Sequence, residues 1–263
     1  MNSPLPIVLK TVSEMQLWQK SNGAKSVGFI PTMGALHEGH LSLLQKSNQN
    51  NELTVLSIFV NPTQFNKPDD LEKYPRTWDA DLKLAAASGT TAIFYPSFQE
   101  MYPDNYAFSV NENDFSRLLC GASRAGHFQG VLTVVLKLIN IIRPNRVYMG
   151  EKDFQQFELI KQMAKALFLP AEILSCPTIR NSDGLALSSR NARLSAENLK
   201  KASLIYKAII SATTAHAARA ALESSGFKID YLVDIESRRY VAAYLPEANG
   251  TGEVRLIDNV ERK

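Results

Sequence analysis

The sequence predicts an α/β protein in two parts: a parallel sheet with helices on both faces over residues 1–177, and a smaller α+β domain over residues 178–263. Three observations predict it. Short β-rich apolar runs alternate with amphipathic helical stretches to about residue 176, the pattern of a parallel sheet buried on both sides. The alternation breaks at residues 179–191, a polar stretch with an Asp183-Gly184 turn signal. Chemistry-bearing side chains gather where the apolar runs end, the edge at which open α/β sheets bind ligands.

Composition narrows the function classes. With 263 residues, 45% apolar and 21% charged, the chain has the make-up of a soluble globular protein rather than a disordered or fibrous one. Lys and Arg outnumber Asp and Glu by 29 − 26 = 3 with no dense basic run, so no general nucleic-acid partner is expected. Cys120 and Cys176 form neither a metal-type cluster nor a disulfide framework and are expected to be free. The stretch Met1 to Ile7 lacks signal-peptide features, and Lys137 and Asn140 interrupt the most apolar segment. A cytoplasmic protein without a membrane partner is the expectation.

In chain order, residues 11–22 read as a first helix, with Ser13 as N-cap and Met15, Leu17 and Trp18 available for packing. Val27 to Ile30 form a buried strand that should stop at Pro31, which has no N–H to donate. Gly34 and Gly39 free the following loop, and Leu41 and Leu44 begin a helical stripe. The N-terminus of that helix carries unpaired N–H groups and about half a positive charge, which suits phosphate. His37 and His40 sit beside it, and either ring can donate to an anion. One histidine at a helix start is usually a cap or a surface residue. Two of the chain's four histidines within four residues, in a loop with two glycines, favour a phosphate or nucleotide site. Metal ligation is a lesser alternative, since zinc helices usually space histidines four apart and need further ligands.

Residues 53–60 form a second buried strand, followed by Asn61-Pro62-Thr63-Gln64-Phe65, where Gln64 is a candidate substrate contact and plain turn chemistry an equal alternative. Residues 77–88 read as a helix capped by Thr77, with Asp79 and Asp81 in its first turn suiting the dipole and Gly89 closing it. Residues 91–95 are a strand, and 96–103 a loop with exposed aromatics. Residues 119–130 form a glycine-punctuated loop carrying Arg124 and His127 before an apolar helix at 131–142, another candidate anion-facing start, although such a loop needs no ligand. Residues 146–150 are a strand. After it, Lys152 can neutralise phosphate, Asp153 can accept from a ribose hydroxyl or cap the next helix, and Gln156 lies one turn on. Residues 171–175 make a fifth strand. In residues 179–191 a hinge and a ligand loop coincide: Ser188, Ser189 and Arg190 supply the donors and forked cation that pyrophosphate requires, against the alternative of a solvated linker. Helices at 195–212 and 214–225 and strands near Tyr231, Val241 and Val254 complete the second domain.

Taken together, Pro31 to His40, Val60 to Phe65, Gly150 to Gln156 and Asp183 to Asn191 closely resemble the pantothenate synthetase (pantoate–β-alanine ligase) family over essentially the whole chain. His-x-Gly-His alone is weak, being shared by nucleotidyltransferases and class I aminoacyl-tRNA synthetases. The four motifs together are specific. The resemblance implies a Rossmann-like first domain, a C-terminal lid and a homodimer. It also implies ATP-dependent condensation of (R)-pantoate with β-alanine through a pantoyl adenylate, without a covalent protein nucleophile.

By the same resemblance Met33, Gly34, Ala35, Leu36, His37, Glu38, Gly39 and His40 bind ATP, with His40 helping pyrophosphate leave and His37 a second phosphate contact. Gly150, Glu151, Lys152, Asp153, Ile179, Leu187, Ser188, Ser189 and Arg190 complete the ATP site, Lys152 and Arg190 carrying most of its positive charge. Gln64 and Gln156 grip pantoate, with Gln64 also near β-alanine; Asn61, Arg124 and His127 are further candidates. Ala125 stands where the family's Arg-Pro-Gly-His-Phe loop has proline, which would loosen that loop. Mg²⁺ is expected with ATP, held largely by phosphate and water rather than by a protein metal site, with Asp79 or Asp81 as open alternatives. The rival readings are a nucleotidyltransferase with a stable nucleotide product and a non-catalytic nucleotide sensor.

Overall fold

The computed structural model describes residues 4–262, so Met1 to Ser3, part of the stretch searched for a leader, lie outside it. The chain divides into two compact units: one runs to Glu151 and resumes over Gln155–Cys176, the other holds Lys152–Phe154 and the chain from Pro177 onward.

The first unit contains β1 (Ile7–Leu9), α1 (Val12–Ser21), β2 (Val27–Thr32), α2 (Glu38–Asn50), β3 (Leu53–Ile58), α3 (Pro68–Glu72), α4 (Trp78–Ala87), β4 (Ala92–Phe94), α5 (Phe98–Met101), α6 (Cys120–Ser123), α7 (His127–Ile142), β5 (Arg146–Gly150), most of α8 (Phe154–Ala166) and β6 (Glu172–Cys176). Its sheet is six-stranded, in the order β1-β4-β3-β2-β5-β6, with parallel pairing throughout the recorded registers. The sequence reading had five of these strands. It missed β1, three residues long and paired on one side only, too short for an apolar pattern to declare itself.

Two boundaries differ from expectation for identifiable reasons. The N-cap of α1 is Thr11, not Ser13: its hydroxyl accepts from Glu14 N and Glu14 returns the bond to Thr11 N, a reciprocal capping box. Strand β2 runs through Pro31 to Thr32, pairing Pro31 with Ser57 and Thr32 with Ile58. Val27 exchanges its bonds with the Asn145 side, so alternation turns Pro31 the same way, toward β5, where the recorded register ends at Phe29 and Val147. The missing N–H falls where no ladder bond is due. The order places β2 between β3 and β5, so the chain leaves β2, β3 and β5 at the same carboxyl edge, beside the reversal of winding that marks ligand sites in such sheets.

The second unit packs α9 (Ala196–Ala202), α10 (Leu204–Ser211) and α11 (Ala215–Ser224) with an antiparallel meander of β7 (Lys228–Ile235), β8 (Arg238–Pro246) and β9 (Glu253–Glu261). Its core includes Ile205, Ile209, Leu222, Val241 and Val254. Ser203, joining α9 to α10, breaks the single helix expected over 195–212. Arg239, fully buried, forks onto Asp234 at 2.7 and 2.9 Å and donates to the carbonyls of Ile209 and Ala212, satisfying acceptors at the end of α10.

Candidate active site

The loop after β2 is bent by two successive residues in left-handed conformation, Gly34 at φ +82° and Ala35 at φ +52°. A β-carbon on Gly34 would stand 2.9 Å from Asp81 Oδ2, so the position requires glycine in both conformation and space. The bend aims two amides at one carboxylate: Ala35 N donates to Asp81 Oδ2 at 2.9 Å and Leu36 N to Oδ1 at 2.8 Å. Asp81 is 2% exposed. The acid read as suiting the helix dipole, or as an open choice for Mg²⁺, instead has both oxygens committed to the loop that precedes α2. Asp79 is exposed, and Thr77 makes no side-chain cap bond.

His37 is the N-cap of α2, which begins at Glu38 rather than after Gly39. Its Nδ1 accepts from Gly39 N at 3.1 Å, while His40 Nδ1 accepts from His37 N at 3.3 Å. This is a capping box with imidazoles in place of hydroxyl and carboxylate. Backbone amides can only donate, so both Nδ1 atoms act as acceptors and the proton of each neutral ring belongs on Nε2. The rings lie 4.1 Å apart. The helix start and the two histidines therefore form one local device, with His37 in the cap role that the sequence offered as the ordinary alternative.

The loop after β3 is a 3₁₀ turn, Pro62–Gln64. Asn61, 1% exposed, is its hub: Oδ1 accepts from Tyr102 Oη at 2.9 Å and Thr63 Oγ1 at 3.0 Å, and Nδ2 donates to Gln64 Oε1 and the Gly130 carbonyl, each at 3.2 Å. With Oε1 engaged, Gln64 turns its Nε2 toward Met33 Sδ, 3.1 Å away, a weak acceptor. Tyr102 is 1% exposed, against the expectation of exposed aromatics in residues 96–103, and burial pushes its hydroxyl up to about 12, so it stays a neutral donor. Helix α7 seats its Gly130 on this turn, where a β-carbon would lie 2.4 Å from Thr63 O.

Arg124 and His127 face the same turn. His127 is buried; its Nδ1 donates to the Gln64 carbonyl at 2.8 Å, and its Nε2 lies 2.9 Å from Arg124 Nη1, a donor, which fixes the opposite tautomer from that of His37. Arg124 Nη2 also reaches the Gln64 carbonyl at 3.4 Å. These contacts brace Gln64, and α7 starts at His127 itself, four residues earlier than expected. The two adjacent glutamines of α8 part company: Gln155 is buried and bonds Cys120 N, Phe115 O and Leu118 O, whereas Gln156 is only partly buried.

In the second unit Lys152 lies in a 3₁₀ turn, Glu151–Asp153, with Nζ 3.5 Å from Asp153 Oδ2 and its side chain 17% exposed. Residues 179–191 fold back on themselves through Leu187 N to Ile179 O and Asn181 N to Leu185 O, with Gly184 at φ +92° in the tip. Ser188 Oγ accepts from Arg190 N at 3.3 Å and so caps the turn Ser189–Arg193. The segment is ordered by Arg180, which forks onto Asp258 at 2.5 and 2.8 Å, donates to Gly184 O and lies over the Tyr206 ring at 3.7 Å. Asp81 was noticed in the sequence but assigned another role, whereas Tyr102, Gln155, Arg180 and Asp258 were missed; of these only Asp258 left a trace, in the consecutive polar pair Asp258-Asn259 of a strand, both residues being buried.

Fold and site together define a doubly wound α/β protein with a histidine-capped helix start at the winding reversal, an arrangement suited to phosphate. The pantoate-beta-alanine ligase family model matches residues 7–261. A pantothenate synthetase of Bdellovibrio bacteriovorus is 55% identical over 254 residues, covering 97% of this chain and 98% of its own. One from Legionella pneumophila (strain Lens) is 47% identical over 234 residues, 89% of this chain and 90% of its own. The crystal structure of pantoate-beta-alanine ligase from Francisella tularensis, complexed with beta-gamma ATP and beta-alanine, superposes with a TM-score of 0.90 at 38% identity, covering 97% of each chain. The chain belongs to the pantoate–β-alanine ligase family.

Proposed function

We propose that this chain condenses (R)-pantoate with β-alanine, driven by ATP, to give pantothenate, AMP and pyrophosphate. The family match over residues 7–261 carries the reading. In the first step a pantoate carboxylate oxygen attacks the α-phosphorus of ATP and the bond to pyrophosphate breaks, leaving pantoyl adenylate. In the second the β-alanine amine attacks the activated carbonyl, AMP leaves with the bonding electrons, and the amine's proton is lost.

The residues divide this work. His37 and His40, with Nδ1 committed inside the helix cap, are placed to donate from Nε2 to phosphate oxygens, His40 toward the departing pyrophosphate. Lys152 and Arg190 supply the cations, with Gly150, Glu151, Asp153, Ile179, Leu187, Ser188 and Ser189 completing nucleotide contacts. Gln64, oriented through Asn61 to offer its amide N–H groups, and Gln156 hold pantoate. Arg124 and His127 act through Gln64.

Mg²⁺ is proposed to arrive with the nucleotide, held by phosphate oxygens and water. Among the described residues no group of three or more His, Cys, Asp or Glu could hold a metal ion, and Asp81 is committed to amides. The ion would offset phosphate charge when bound. No helix among the described residues is long and apolar enough to cross a membrane. A cytoplasmic homodimer is proposed on the resemblance alone, with sedimentation as its test. Pantoate-dependent exchange of pyrophosphate into ATP without β-alanine tests the two-step reading; exchange that ignores pantoate, or requires β-alanine, would overturn it.

A further inference from the structure

Lys152 follows the last strand residue of β5 by two positions, yet the Lys152–Phe154 turn groups with the second unit. Its backbone carbonyl accepts from Asn259 Nδ2 at 3.0 Å, a contact spanning 107 residues. Asn259 is 5% exposed, and its Oδ1 accepts from Arg238 Nη1 at 2.6 Å. The amide can face only one way: flipped, it would set two donors together at Arg238 and two acceptors together at Lys152. Arg238 in turn lies over the Phe154 ring at 3.6 Å. One residue earlier on β9, Asp258 grips Arg180 and accepts from Asn259 N at 2.8 Å.

We infer that Asn259 is a positioning residue for the ligase reaction, fixing the backbone at Lys152 so that its ammonium meets the phosphate charge that develops on adenylation. The neighbouring Asp258 does the same for residues 179–190, so a two-residue stretch of β9 holds both cation-bearing segments of the second unit in register. The physical ground is that a flexible lysine stem delivers a point charge usefully only from a fixed root, and a misplacement of about 1 Å costs on the order of a hundredfold in rate. A 3₁₀ turn of only three residues is a weak local scaffold, and the long-range bond from Asn259 is the anchor added to it.

The inference rests on the proposed role of Lys152, and the test separates the two. Asn259→Asp keeps shape and replaces the donor by an acceptor. Pantoate-dependent ATP–pyrophosphate exchange is measured for Lys152→Ala, Asn259→Asp and the double variant, each checked for folding by its melting curve. Asn259→Asp should lower kcat by about tenfold or more with the pantoate KM within about twofold, and in the Lys152→Ala background should add less than about twofold, since the two act through one group. Independent, multiplicative losses would overturn the inference while leaving Lys152 in place. A Lys152→Ala variant of near-normal activity would instead remove the reading beneath it. If Asn259→Asp fails to fold, Arg238→Met, which removes the donor that orients the amide, enters the same cycle with the same expected non-additivity, and its additivity is equally fatal.

Discussion

The histidine loop of the first unit and the cation-bearing segments of the second, both proposed to meet ATP, are held in place by different means. Residues 33–40 are fixed mainly at short range: His37 caps its own helix, His40 returns the bond three residues away, and one distant group, Asp81, takes two amides. Lys152 and residues 179–190 are fixed at long range, through Asn259 and through the Arg180–Asp258 fork across 78 residues. A helix terminus carries its own donors and needs little else to face an anion. A lysine brings a point charge on a flexible stem, and an arginine a fork on a long one, so the root of each must be positioned by contacts from elsewhere. Removing a remote anchor should therefore disturb the second region more than the first, and the following experiments press on that contrast.

The largest effect is expected at the charge itself. Lys152→Ala should slow single-turnover adenylate formation about a hundredfold or more, the usual consequence of losing one well-placed electrostatic group in the transition state. Rates near those of the parent protein would show that the second unit's charge is carried by Arg190 alone.

Asp81→Asn tests the remote carboxylate that holds the first region. It leaves Ala35 N or Leu36 N without a charged acceptor beside a strained bend, costing about 1–3 kcal/mol in stability, read from urea unfolding. Adding Ala35→Gly, which relaxes the left-handed residue, should recover about 1 kcal/mol. A variant as stable as the parent would mean that the loop is held by its histidine cap alone.

Gln64→Leu and Gln156→Leu should weaken pantoate about tenfold or more while leaving ATP nearly unchanged, because substrate hydroxyl and carboxylate groups would be desolvated without partners. Calorimetric titration of each ligand is the measurement. Equal losses for both ligands would move these glutamines from substrate recognition to general architecture.

Residues 179–191 are proposed to close over ATP. Hydrogen exchange should show protection there with an ATP analogue, and much less in Arg190→Ala. Equal exchange with and without nucleotide in the parent would make the segment a fixed wall and bring the two regions closer in character.

The smallest effect concerns Tyr102, the far end of the Asn61 brace. Tyr102→Phe removes the hydroxyl's bond to Asn61 Oδ1 and its longer contact with Thr63 Oγ1, and should cost about 1 kcal/mol near neutral pH. The folded hydroxyl is raised from 10.0 to about 12, so its contribution is fully present below pH 10 and is lost as pH rises toward 12. The stability gap between parent and variant should shrink over that window. A gap independent of pH would place the hydroxyl in water.

How much was legible follows the same division. The alternation that built the sheet, a helix start beside His37 and His40 and the strand-end loops are short-range patterns, written in periods of two and 3.6 and in turn chemistry. Ser13 lost the cap of α1 to Thr11 because both are good caps and only the reciprocal bond from Glu14 decides. Asp81 looked like any first-turn acid, and Gln155 like the twin of Gln156, until packing buried one of each pair.

The sequence by itself determined the α/β class, the phosphate-suited helix start and, through four motifs, the family. These depend on interactions within a few residues, for which the chain is its own template. Only the tertiary structure decided which polar groups are spent on holding others. Asp81 meets Ala35, His127 meets Gln64, and Asn259 meets Lys152 because folding closes loops of 46, 63 and 107 residues. Side-chain chemistry states what each group can bond; the closure of the chain selects which partner it finds, and no local pattern encodes that choice.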